Sequence, residues 1–122
     1  MFVNLTKHVI RIKGRSTETR QEEIREVQPS GQVATCRPLM GESQAQRLDQ
    51  FEFYTSSRSL GEVLLSSGQP FPEPAEGTIY LVSSMVQGAM PRKDVQAPDT
   101  GPTAIRDAQG NVWAVVGLIG PK

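Results

Sequence analysis

The tract from Gly77 to Pro91 constrains this chain more than any other, because the spacing of its apolar residues changes period in the middle. Gly77-Thr78-Ile79-Tyr80-Leu81-Val82 is rich in β-branched and aromatic residues and reads as a strand. Ser83 or Ser84 then caps a helix by accepting an exposed backbone N–H, and Met85, Val86, Ala89 and Met90 follow on one apolar face until Pro91 stops it. A helix of about eight residues is marginal alone in water. It needs a sheet to dock on, so the expected fold class is α+β: a small β-rich single domain with a mixed or antiparallel sheet and one short helix.

The rest of the chain supplies short strands for that sheet, five to seven in all. Residues 2–13 read as one or two strands with a bend near Lys7, since Val3 and Leu5 share one parity and Ile10 and Ile12 another. Residues 14–23 lack Val, Ile, Leu and aromatic side chains and are expected to form a mobile loop or hairpin tip before Ile24 and Val27 resume a strand. Pro29-Ser30-Gly31 is a turn signal ahead of a strand over 33–36, which Pro38 ends or confines to an edge. Residues 41–50, with only Ala45 and Leu48 as apolar anchors, read as a loop leading to a strand over Phe51–Tyr54. The alternating prolines of 68–74 read as a rigid surface connector.

Near the C-terminus, residues 92–102 hold Pro98, Asp99, Gly101 and Pro102 and are expected to be a flexible loop. A closing hairpin follows, from Thr103–Arg106 through Asp107-Ala108-Gln109-Gly110-Asn111 into Val112–Ile119. Apolar residues occupy both parities of that last run. Burial on both faces accounts for this pattern, and so does an interface with another copy.

Composition narrows function by exclusion. The chain of 122 residues fits a single compact domain, which would expose roughly 6,500 Å² folded against roughly 19,400 Å² unfolded. Thirteen Lys and Arg balance thirteen Asp and Glu, which removes net attraction to nucleic acid or to an anionic membrane. No window approaches the twenty or so apolar residues of a membrane span, and the N-terminal stretch lacks the apolar run of a signal peptide. One cysteine, Cys36, makes no internal disulfide, and a reduced cytoplasmic setting is the economical expectation.

Candidate chemistry is sparse. His8, the one imidazole, is the natural base or metal ligand, yet no HxH or HExxH spacing accompanies it, and a structural role in a strand is the simpler reading. Cys36 in Val33-Ala34-Thr35-Cys36 reads as a small buried hydrophobe rather than a nucleophile. Asp94, Asp99 and Asp107 match no calcium-loop spacing and read as turn formers. Lys7, Arg11, Lys13 and Arg15 form a basic row that the Glu18, Glu22, Glu23 and Glu26 cluster can neutralise. The glycines of Val116–Lys122 fit no phosphate-loop pattern. No catalytic residue, metal set or cofactor is assigned.

Asn4-Leu5-Thr6-Lys7-His8, Pro29-Ser30-Gly31, Gly77–Ser83 and Pro91-Arg92-Lys93-Asp94-Val95 together resemble small uncharacterised bacterial and phage-associated proteins with an NLTPH-like start and a YIVS-like central segment. Lys7 stands where those proteins carry proline, and Leu81 where they carry isoleucine. The resemblance implies a phage or prophage context and supplies no catalytic map. The function expected first is therefore a non-catalytic accessory or protein-interaction module, partnered by another protein or by itself. A module for a small anionic ligand or phosphate, held by His8, Arg11, Arg92 and Arg106, comes second. A hydrolase-like enzyme comes third, because the spacing reveals no acid, base or metal arrangement.

Overall fold

In the computed structural model, which describes the backbone of residues 1–122 and every side chain except those of Pro38, Arg58 and Leu60, the Gly77–Pro91 tract forms a strand and then a short helix, the order its spacing predicts, with both elements shorter than expected. In chain order the strands are β1 (Phe2–Asn4), β2 (Ile10–Arg15), β3 (Glu22–Val27), β4 (Ala34–Leu48), β5 (Phe51–Leu65), β6 (Ile79–Leu81), β7 (Val95–Pro98), β8 (Ile105–Arg106), β9 (Val112–Ala114) and β10 (Leu118–Ile119). The helix α1 (Ser84–Ala89) lies between β6 and β7. The central mixed sheet has the order β1-β6-β7-β10, with β1 and β7 parallel to β6 and β10 antiparallel to β7. Three antiparallel pairs surround it: β2-β3, β4-β5 and β8-β9. The result is a small single domain, mostly strand, with one short helix.

Ser83 caps α1 by accepting the Val86 N–H at 3.4 Å, and the helix lies against β4, β5 and β7. Val86 is buried and Ala89 and Met90 pack against the core, whereas Met85 faces outward. The inward face is thus narrower than the sequence spacing predicts, because six helical residues present less than two turns. The core gathers Leu5, Ala34, Val63, Leu65, Phe71, Tyr80, Val82, Val86 and Val95. It draws on the segment just after β1, on β6 and β7, the helix, the connector residue Phe71 and the inner end of the β4-β5 hairpin.

Three local expectations are corrected. The flexible loop over 92–102 contains β7, where Val95 and Ala97 are buried and alternate with half-buried Gln96 and Pro98. Pro98 closes the strand, a position that needs no further ladder donor. The loop over 14–23 shrinks to 16–21, since β2 runs through Arg15 and β3 starts at Glu22. The last apolar run is two strands broken at Val116-Gly117, with Ala114 and Val115 buried and Val112, Trp113, Val116 and Ile119 exposed. Its double parity records exposed apolar side chains rather than burial on both faces, and the run contributes nothing to the main core cluster.

The largest departure lies in residues 41–50, expected as a loop. They belong to β4, which pairs with β5 out to Leu48↔Phe51. Ser43 and Ser56 share a hydrogen bond of 2.9 Å across the ribbon, and Arg47 and Glu52 an ion pair of 2.6 Å. A strand with solvent on both faces needs no hydrophobic alternation, so the period-two signal that marks half-buried strands is absent here. Among the described residues, no helix is long and apolar enough to cross a membrane.

The helix face gives a direct test. Val86→Ala should cost about 2 kcal/mol in chemical denaturation through the cavity it leaves, while Met85→Ala should stay within about 0.5 kcal/mol. Equal losses would show that both side chains are packed inward.

Candidate functional site

Asn4 explains why the N-terminal motif has the residues it has. Its side chain is buried, and its amide nitrogen donates to the His8 carbonyl at 2.7 Å and the Val27 carbonyl at 3.0 Å. Its amide oxygen accepts from the Thr6 N–H at 3.0 Å and the Thr6 hydroxyl at 2.6 Å. One side chain therefore ties β1, the entry to β2 and the end of β3. The Asn4 carbonyl also accepts the Ser30 N–H, which fixes the Pro29-Ser30-Gly31 turn. His8 enters this network through its main chain, and its exposed imidazole makes no hydrogen bond among the described residues.

The four residues expected to converge on an anion separate into three places. His8 and Arg11 line one cleft of about 400 Å³, whose floor is apolar and includes Ile10, Val82 and Val115. Arg11 lies 5.2 Å from the centre of the Trp113 ring and pairs with Glu26 at 3.1 Å. Arg92 lies elsewhere. It grips Asp94 through two hydrogen bonds of 3.0 and 2.6 Å, donates to the Pro72 carbonyl at 3.0 Å and covers the Phe71 ring at 5.3 Å. Arg106 donates to the carbonyls of Gly110 and Thr100 and so closes its own loop.

The Arg92 cluster holds the proline-rich connector onto the domain. Phe71 is buried and meets Tyr80 edge-to-face at 5.4 Å, and the Tyr80 hydroxyl donates to the Glu73 carbonyl. The hydrogen bonds from Arg92 hold the Asp94 carboxyl below its ordinary range, against the opposing effect of desolvation. With its folded value depressed, the pair contributes stability above the unfolded carboxylate range and loses it as pH falls through the folded value.

Other charged residues serve local geometry. The basic row pairs with the strand beside it, Arg11 with Glu26 and Lys13 with Glu22, as the balanced charge pattern predicts. Asp107 accepts the Gln109 and Asn111 N–H groups, and Asp99 accepts that of Gly101. Cys36 is half-buried against the core. Among the described residues no group of three His, Cys, Asp or Glu side chains is placed to hold a metal ion.

What the sequence reading missed is the hairpin arm. At the base Ala34, Cys36, Val63 and Leu65 share one face and enter the core. The Gln32 amide oxygen, accepting from the Ser66 hydroxyl and the Ser67 N–H, locks the two ends together. Beyond register shifts at 36–38 and 40–43 the ribbon runs on with both faces in solvent. Near the two-residue turn Asp49-Gln50, Leu48, Phe51 and Phe53 share a face, and the two rings stack at 6.0 Å and 23°. Leu48, Phe51 and Tyr54 are 67%, 68% and 77% exposed. The signal available beforehand was the β-like run Phe51–Tyr54 two residues after Leu48, a spacing that fits the tight turn Asp49-Gln50.

Compared with known proteins, the chain matches no family model, no curated protein and no solved structure. For the N-terminal motif, Asn4→Ala should cost about 1–3 kcal/mol in denaturant melts, because a buried side chain and its hydrogen bonds to two part-buried carbonyls are lost. His8→Ala should stay within about 0.5 kcal/mol. A large loss at His8 would show that the imidazole itself supports the fold.

Proposed function

We propose that this chain is a non-catalytic protein-interaction module of the cytoplasm, in which a small β domain presents a projecting hairpin to a protein partner. The uncovered apolar tip of that hairpin carries the reading. The exposed surface is 8971 Å², against roughly 6,500 Å² for a compact monomer of this mass, a surplus of roughly 2,500 Å². A standard protein interface buries about 1,600 Å² in total. Natural sheets keep large apolar side chains off exposed edges, and an arm that leaves Leu48, Phe51 and Tyr54 in solvent has surface suited to a partner.

Chemistry elsewhere supports the same reading. The charged side chains of Arg92, Arg106, Asp99 and Asp107 are engaged in holding loops, which is a scaffold's use of polar groups. A half-buried lone cysteine asks for no oxidising compartment. The motif resemblance to phage-associated proteins supports a phage or prophage setting for the role.

Site-specific photo-crosslinking in living cells tests this. A photoreactive phenylalanine analogue at Phe51 or Tyr54 should form discrete protein adducts, while the same group at Met85 on the helix should not. Adducts at Met85 with none on the arm would overturn the reading.

A further inference from the structure

The domain carries an unpartnered convex apolar tip and, on another part of the same chain, an unpartnered concave apolar cleft. We infer that the tip of one copy seats in the cleft of a second copy, so that the arm joins chains of this protein to one another. This rests on the arm being the contact element and goes further by naming what receives it.

Shape and chemistry agree on the two sides. The cleft of about 400 Å³ lies within the size range of sites that enclose small ligands, so by volume it admits an aromatic side chain with an aliphatic neighbour. Its floor is Ile10, Val82, Ala114 and Val115, and Val112 and Trp113 stand exposed at its margin. On the tip, Leu48 lies directly across from Phe51, and Phe53 stacks behind it on the same face. The two rings lie on one face and present a continuous apolar surface.

Charge sets an orientation. At the tip Arg47 is paired with Glu52, while Asp49 has no ion pair among the described residues. Arg11 and His8 line the cleft, and Lys7, next to His8 in the chain, is exposed and likewise has no ion pair among the described residues. A carboxylate on the entering turn therefore meets a positive edge. The chain's formal net charge of zero means that copies do not repel one another at long range. The surplus surface of roughly 2,500 Å² exceeds the roughly 1,600 Å² that each copy would bury by giving one tip and receiving another, at about 800 Å² per side. Because tip and cleft are different patches, the contact is head-to-tail and builds rings or open chains rather than a symmetric pair.

Light scattering on the purified full chain, with and without complementary variants, tests this. The wild type should exceed twice the monomer mass as concentration rises towards about 1 mM. A tip variant, Leu48→Ser with Phe51→Ser, should remain monomeric. A cleft variant, Ser84→Arg, should do the same by filling the cleft from an exposed position without touching the core. Each should weaken association by at least about 30-fold, the loss typical of a central contact. Mixed at equal concentrations, the two variants should form a dimer and stop there, since the mixture holds one intact tip and one intact cleft. Thermal melts matching the wild type establish that both variants fold, and Val112→Glu is a second way to block the cleft. A wild type that stays monomeric, a mixture that stays monomeric, or a cleft variant that assembles as the wild type does would overturn the inference. In the last case the arm remains the contact element and another surface receives it. A tip variant that assembles normally would overturn the arm's role as well.

Discussion

A ribbon of two strands has one neighbour on each strand and none on either face, so it holds its shape only as far as something else holds it. In this protein the holding is done at one end. Ala34, Cys36, Val63 and Leu65 alternate into the core from the base of the β4-β5 hairpin, and Gln32 locks its two ends through Ser66 and Ser67. Each strand is 15 residues long, so the ribbon spans roughly 50 Å, and most of that length is held only by pairing with its partner strand. Isolated two-stranded hairpins are marginal in water. The arm is therefore stable at its root and increasingly dependent, towards the tip, on whatever it meets.

The root is rigid because the domain beneath it is knotted from several directions. Asn4 satisfies carbonyls on two neighbouring segments with a single amide, and the Leu5 carbonyl accepts the Ala34 N–H where the hairpin begins. Leu5 also donates its own N–H to Leu81, so one residue links the central sheet to the base of the arm. On the far side α1 packs Val86 against both hairpin strands. Buried polar groups that are fully paired specify one arrangement at little net cost, whereas half-paired ones are expensive, and the described side chains leave none of the latter.

Sequence showed the parts of this fold whose burial is periodic and hid the parts whose burial is not. Ile79–Leu81 and the helix after it were legible because strand and helix spacing each extend up to a clear boundary, at Ser83 and at Pro91. The Asp107–Asn111 turn was legible because Asp107 and Gly110 do what those residue types do in turns. Residues 41–50 were hidden, since a solvated strand pays no penalty for polar side chains on both faces. Strand β7 was hidden by Pro98, and the exposure of Val112, Trp113, Val116 and Ile119 by the general truth that apolar runs are buried. At the candidate site the motif around His8 drew notice for its imidazole, while the side chain that matters to the fold is Asn4. His8 and Arg11 line one cleft, but the strand register that separates Arg92 and Arg106 from them cannot be inferred from spacing along the chain.

Backbone amide hydrogen exchange, read residue by residue in dilute and in concentrated protein, reports whether the arm is held only at its root. The account predicts that in dilute protein the cross-strand-bonded amides of Thr35 and Leu64 exchange as slowly as the core, those of Gln46 and Phe53 exchange many-fold faster, and the tip becomes protected on concentration while the base does not change. A tip as slow as the core in the dilute chain, or one whose exchange ignores concentration, would contradict it.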